Sequence, residues 1–475
     1  TGGSTPLTQR RTPHKHTSPA AKRTVNAHAR ARGNTPTVRH HHRPNSSANA
    51  GAPAGSQPGI HIPTSNGEIL LTRRHFLYGA LGVGVLAAAA AGGSALQSAT
   101  EKRDTITYLE VPEQAVFSLA DCSEIPLDQA LQLTGSYEFP YGTLIWSNND
   151  TNAACLLPTE TANPLVHVGI ITLASGEATT VLEAAVGQAE GFEVYDVRAS
   201  EAGLVWTEAN ILEGLWRIYG APLTGLALGA PTLLDQGDEQ WEAPSIAAVG
   251  TAAFWQCLPK VKGTAATENS LLKRADFGGG QASVIYTSSG RMSTPIYPLA
   301  DSVVVTPRVD TSNVYHQLTR IKASDGSTMD ALVLPPAMKP LEAGYGATGF
   351  TFSFEGRYNY GDGIANLGTY APQTAHDPEN YQGLPWFHFD KVPSAPPAWC
   401  GNFFMVKSTR AVSGVDLANK TYFSCGTESG CEDWGDYLAS TGTNTHIITF
   451  MNINMTTTAG EAKKLCRVRT WAPLA

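Results

Sequence analysis

Acid is almost missing from the first 74 residues. They hold eleven lysines and arginines, from Arg10 to Arg74, and one carboxylate, Glu68, for a net charge of +10. The whole chain of 475 residues carries 33 Lys and Arg against 41 Asp and Glu. Residues 75–475 therefore keep 22 basic and 40 acidic side chains, a net of −18. That excess excludes nucleic acid as a partner of the larger part, because it repels phosphates. Cysteine is scarce as well. The seven (Cys122, Cys155, Cys257, Cys400, Cys425, Cys431 and Cys466) are odd in number and contain no CxxC pair. Neither a zinc ribbon nor a full disulfide framework is indicated. Cys425 and Cys431, six apart, either close one loop in an oxidising compartment or stay as thiols.

Other absences bound the chemistry. No Walker loop occurs, and no GxGxxG opens a helix after a strand, so no nucleotide cofactor is expected. Gly278-Gly279-Gly280 and Ser288-Ser289-Gly290 do not form a Gly-x-Ser-x-Gly nucleophile turn. Beyond residue 100 the histidines are His167, His316, His376, His388 and His446. Only His376-Asp377 and His388-x-Asp390 share a segment, and no metal is expected. Helix-length periodic runs are rare too, the best being Leu127–Leu133.

What is present begins with a tail. Residues 1–67 are built from Thr, Ser, Pro, Gly, Ala, Asn, His and Arg, with few large apolar side chains. Such a segment buries too little surface to offset its chain entropy. Residues 1–70 are therefore expected to be a disordered basic region, and the Arg39–Arg43 run a solvated cationic stretch.

Residues 71–100 form the next unit. Thr72-Arg73-Arg74-His75-Phe76-Leu77 leads into a run without Lys, Arg or acid from His75 to Thr100, rich in Gly and Ala. An arginine pair, a spacer, Phe-Leu and a moderately apolar run resemble the twin-arginine export signal of bacteria. The resemblance assigns targeting to Arg73, Arg74, Phe76 and Leu77, and implies the twin-arginine translocase as a partner during export. It implies an extracytoplasmic body, in the cell envelope or secreted, that folds before transport without relying on disulfides. The apolar span is ~20 residues, long enough to cross a bilayer as a helix. If uncleaved, it would tether the body to the membrane.

From Thr105 onward, short runs of Val, Ile, Thr, Phe, Tyr and Trp alternate with Gly, Pro, Asn, Asp and Ser clusters, which is strand grammar. One strand type recurs: Gly142–Trp146, Gly203–Trp206, Gly250–Trp255, Ser302–Val305, Gly349–Phe352 and Gly401–Met405. Its last residues, 146, 206, 255, 305, 352 and 405, are 60, 49, 50, 47 and 53 apart. Six units of about 50 residues predict an all-β, six-bladed β-propeller over 105–475. Two hairpins support it, Leu165–Leu173 with Thr179–Leu182 and Val314–Ile321 with Met329–Leu334, each turning at a Gly. Thr105–Leu109 is expected to complete the last blade beside Leu465–Trp471. The period and strand grammar resemble the TolB-like six-bladed propellers.

Propellers gather loops at the ends of a central channel, so candidate sites were sought in loops. Residues 356–400 are rich in aromatics around Gly361-Asp362-Gly363, and Glu428–Asp436 is acidic around Trp434. Glu355, Arg357, Asp362, Trp386, Asp433 and Trp434 are the candidate ligand-binding residues, since rigid aromatics beside charges suit a sugar or peptide. The expected function is a binding or scaffold module for a protein or glycan, without catalysis. The alternative is a glycosidase or lyase using channel-mouth acids such as Glu208, Glu355, Asp362, Glu432, Asp433 or Asp436. Ser324-Asp325-Gly326 reads as a hairpin turn.

Overall fold

The computed structural model describes residues 59–64, 67–72 and 106–474, apart from 312, 355–362, 378, 379, 457 and 459. Most of the expected tail and the whole run from Arg73 to Thr100 lie outside the described residues, as do Arg73, Arg74, Phe76 and Leu77. Among the described residues no helix is long and apolar enough to cross a membrane. Inside the segment expected to lack structure, Gly59–Thr64 and Gly67–Thr72 pair antiparallel, Gly59 opposite Thr72. Alternating Ile60 and Ile62, then Ile69 and Leu71, give these two runs strand propensity.

The remainder is strand, with four short 3₁₀ turns. Seven sheets follow one another, each opening at an inner strand and running outward. Blade 1 comprises Leu144–Trp146, Asn152–Pro158, Val166–Thr172 and Glu177–Leu182. Blade 2 holds Glu193–Ala199, Gly203–Asn210, Leu215–Thr224 and Thr232–Gly237. Blade 3 is Ile246–Val249, Ala252–Cys257, Leu271–Asp276 and Ser283–Thr287; blade 4 is Tyr297–Pro298, Ser302–Val305, Gln317–Lys322 and Thr328–Val333. Blade 5 has Glu342–Gly346, Gly349–Phe354, Gly368–Pro372 and Trp386–Phe389; blade 6 has Ala398–Cys400, Phe403–Lys407, Val412–Asp416 and Thr421–Cys425. Blade 7 takes Tyr437–Leu438, Ile447–Thr456 and Ala462–Pro473 from the end of the chain and Leu131–Phe139 from its beginning.

The β-propeller expected from the period is present, and its sheets number seven rather than six. Seven of eight apolar clusters lie between successive sheets, one of them joining blade 7 to blade 1, and the eighth, Met451, Ile453 and Leu465, belongs to blade 7 itself. The repeat strands ending at Trp206, Trp255, Val305, Phe352 and Met405 are second strands, and all five of these side chains are fully buried. Gly142–Trp146 is of another kind: Leu144–Trp146 is an inner strand, which explains the long first spacing of 60. Blade 7 escaped the pattern because Asn444-Thr445-His446, not Gly, precedes its second strand. Elsewhere that glycine has a backbone reason. Gly250, Gly349 and Gly401 stand between first and second strands at φ of 56°, 112° and 57°, where a side chain is strained.

Ring closure also differs from expectation. Leu131–Phe139, not Thr105–Leu109, pairs with the last strand, Cys466 opposite Phe139 and Pro473 opposite Leu131. The helix-like spacing of Leu127–Leu133 conceals this, since Leu127–Gln129 is a 3₁₀ turn leading into the strand. The chain before it runs along the rim. Leu109 N–H donates to Val333 O at 2.8 Å on blade 4. Val116–Ser118 then adds a parallel strand to blade 5, and Ser123–Glu124 one to blade 6. Exposed outer edges of three blades are covered in this way, which removes templates for edge-to-edge pairing. None of the seven cysteines is in a disulfide, so the expected alternative of a Cys425–Cys431 loop is not formed.

Candidate functional site

Each blade starts at the axis, so the seven inner strands run the same way around a channel. Its cavity is about 140 Å³ and is lined by inner-strand residues of six blades and by Ala395 and Pro396, just ahead of the inner strand of blade 6. That volume takes a few waters and falls below the ~300 Å³ at which small-molecule pockets begin. Tyr297 of blade 4 crosses it. Its hydroxyl donates to Pro397 O at 2.7 Å, just before blade 6, and accepts from Gly442 N–H at 2.7 Å, just after the inner strand of blade 7. Burial pushes this phenol well above its ordinary range.

The charged groups of the channel are set against one another. Asp196 and Arg198, alternate residues on the inner strand of blade 2, form an ion pair. Arg198 also stacks over Trp146, its guanidinium carbon 4.5 Å from the ring centroid. Burial raises Asp196 above the usual carboxylate range, opposed by Arg198. Burial raises Tyr195 also, and Asp196 and Glu242 add to it. Glu242 lies 2.7 Å from Arg291, both side chains at least four-fifths buried. Glu342, 6% exposed, lines the same cavity.

Topology sorts two of these acids, Glu242 and Glu342, to one end. Inner strands begin, and second strands end, on the same face. Glu242 and Glu342 stand at or before inner-strand starts; Asp433 and Trp434 precede that of blade 7; residues 355–362 follow the second strand of blade 5. Among the sequence candidates, this loop face holds Asp433 and Trp434. Asp433 is exposed and Trp434 half-buried. Lys407, at the end of blade 6's second strand, fixes their turn by donating to Trp434 O at 2.7 Å. Glu355, Arg357 and Asp362 lie outside the described residues. Trp386, the sixth candidate, is fully buried in the core between blades 4 and 5, so packing accounts for it.

Packing also absorbs the aromatic stretch around it. Trp386–Phe389 is the fourth strand of blade 5. His376 Nε2 lies 2.8 Å from Asp330, the Tyr381 hydroxyl donates to the same carboxylate at 2.7 Å, and the two rings stack at 4.0 Å. His388 stacks on Tyr370 at 4.5 Å and sits 2.8 Å from Leu367 O. Among the described residues no three His, Cys, Asp or Glu are grouped to hold a metal. Of the other acids, Glu208 and Asp436 are wholly buried and Glu432 accepts from the Tyr141 hydroxyl.

Sequence reasoning missed Asp196, Arg198, Glu242, Arg291 and Glu342. A signal was there. The channel-facing position stands ten residues before the bulky end of the second strand: Asp196 before Trp206, Pro295 before Val305, Glu342 before Phe352, Ala395 before Met405.

No protein-family model matches the sequence, and no curated protein matches it. Among solved structures the chain is similar to a prolyl endopeptidase, at 11% identity and a TM-score of 0.44, over 87% of this chain and 56% of that one. It thus spans about half the length of that protein. It is also similar to the β-propeller domain of the trilobed protease from Pyrococcus furiosus (9% identity, TM-score 0.42, 72% of this chain and 94% of that one). A third is oligogalacturonate lyase in complex with manganese (10% identity, TM-score 0.38, 74% and 98%). Likenesses this distant assign no activity, and the fold rests on the seven sheets themselves.

Proposed function

We propose that the chain is a twin-arginine-exported, extracytoplasmic propeller that binds a protein or glycan on its loop face. One observation carries the binding face. Connections there are long, with 13 residues between the second and third strands of blades 3 and 5 and 11 in blade 4. Turns between first and second strands on the other face are two or three residues in blades 2 to 6. Long loops on a rigid scaffold are where binding residues concentrate. The channel contributes rigidity, since Tyr297 crosses it and its charges are paired. Export is supported by Arg73-Arg74 before the apolar run and by a body that holds together without disulfides. The translocase is then a transient partner, and an uncleaved 71–100 segment would keep the body at the envelope.

Charge reversal tests the face. Lys262→Glu and Arg410→Glu on the loop face should abolish retention on immobilised envelope polysaccharides or proteins, while Lys322→Glu on the other face leaves it intact. Equal effects from both faces would refute the assignment. For export, the R73K/R74K double variant of the full chain should stay in the cytoplasm on fractionation; normal export would exclude the route.

A second reading, a glycosidase or lyase, draws on Glu242 and Glu342 lining one cavity. It requires glycan cleavage by the purified protein that Glu342→Gln removes.

A further inference from the structure

We propose that Arg291, Arg308 and Lys339 form a receptor for a small oxyanion, a carboxylate or phosphate group, on the loop face beside the channel. The proposal rests on the loop face being the binding face, and it names the chemistry that face would take.

Three neighbouring cations stand out in a body of net charge −18. They come from three separate segments: Arg291 from the link between blades 3 and 4, Arg308 from the loop after blade 4's second strand, Lys339 from the link between blades 4 and 5. Hydrogen bonds tie these segments together. Ser293 N–H donates to Thr306 O at 3.1 Å, and Ser293 Oγ donates to Pro340 O at 2.7 Å. Arg308 N–H donates to Ser288 Oγ at 2.9 Å. Arg308 and His316 form an antiparallel bridge, and His316 Nδ1 sits 2.9 Å from Met338 O. The three backbones are thus mutually fixed, so binding would order little more than side-chain ends.

Their charge is not balanced. The ion pair among the described residues that touches them is Glu242 with Arg291, 2.7 Å from Nη2. Arg291 is thereby paired, and its Nη1 also donates to Pro259 O. Arg308 Nε differs: it is buried with no hydrogen-bond acceptor among the described residues. Lys339 is exposed as a residue, but desolvation of its ammonium first, and then Arg291, hold it below the ordinary lysine range, with Glu242 acting the other way. Between Arg308 and Lys339, His316 stays neutral at neutral pH. Burial first, then those two cations, pull it down to about 4. A buried donor without an acceptor, as at Arg308 Nε, asks for a partner from outside the chain. Two guanidinium groups and an ammonium suit an oxyanion, which accepts several charge-assisted hydrogen bonds at once.

Calorimetric titration of the full chain with citrate, and separately with phosphate, at pH 7 and low salt tests this. The expected result is saturable binding of at least one anion, weakened tenfold or more in R308Q and in K339Q. Because the basic tail also attracts anions, R39Q/R43Q serves as the control and should bind as the wild type does. Citrate alone would assign a carboxylate, phosphate alone a phosphoryl group, and both would keep the general receptor. No saturable binding, or binding undiminished in R308Q and K339Q, overturns the proposal. Lys339 is exposed, so K339Q decides the matter if R308Q does not fold. Should the anions fail while Lys262→Glu and Arg410→Glu still abolish partner retention, the anion assignment alone falls. Should those reversals have no effect, the loop-face reading falls as well.

Discussion

The Glu208 carboxylate serves three donors at once. Val186 N–H and Trp206 Nε1 donate to one oxygen at 2.6 and 2.9 Å, and Gly187 N–H to the other at 2.9 Å. A wholly buried acceptor of this kind cannot be replaced by a group that also donates. Glu208→Gln should therefore cost about 1–3 kcal/mol of stability, read from urea unfolding. Two other buried groups tune stability with pH in opposite senses. Burial raises Asp436 to about 7 against the pull of Arg469, whose Nη2 is 2.7 Å away. Unfolded, the same carboxyl titrates near ~4. Between about pH 4 and 7 the folded protein keeps a proton that the unfolded chain has released, so this contribution falls as pH rises. His316 behaves inversely. Its folded pKa is about 4 against ~6.5 unfolded, so its contribution falls as pH drops through that window. D436N should gain on the wild type from pH 4.5 to 7.5, and H316Q should gain on it from pH 6.5 to 4.5. A pH-independent offset in unfolding midpoint would contradict either assignment. None of these roles was legible in the sequence, where an acid in a strand reads as solvated. Each is set by burial from a neighbouring segment, and burial depends on the phase of the ring.

At the scale of elements, the second strands were legible because they are the most uniform part of each blade: apolar, buried on both faces and opened in most cases by a turn glycine. Inner strands were not. They are two to seven residues long, and the channel-lining residues on them vary from Asp196 to Glu342 and Tyr297 because each blade meets different neighbours there. The Trp434 turn was found through its aromatic and acids, but its rigidity comes from elsewhere. Gly435 has φ 62°, and a Cβ there would stand 1.7 Å from Arg410 O. A backbone carbonyl cannot yield as a side chain does. Gly435→Ala should lower stability by more than about 1 kcal/mol, and it should displace the Trp434 turn. Tryptophan fluorescence compared with thermal melting would show both effects; an unchanged spectrum and melting temperature would count against this account.

In the whole molecule, strands more than 300 residues apart in sequence close the ring. A chain beginning at residue 140 should fail to give a cooperatively folded monomer, since blade 7 would keep three strands and an open edge. A peptide of residues 131–139 added in trans should restore cooperative melting; folding without it would show that closure does not depend on that strand. The rim segment ahead of this strand has a mechanical consequence. Traction applied at residue 106 meets first a few hydrogen bonds over Tyr108–Val111, to Gln382, Val333 and Gly363, then a three-residue pairing at Val116–Ser118, then a two-residue pairing at Ser123–Glu124. Only behind these does it reach the nine-residue strand that holds the ring shut. The short pairings act as fuses in series. A tug from the N-terminal side unfastens them one at a time, and each re-engages when the load drops, while the circle of blades stays intact.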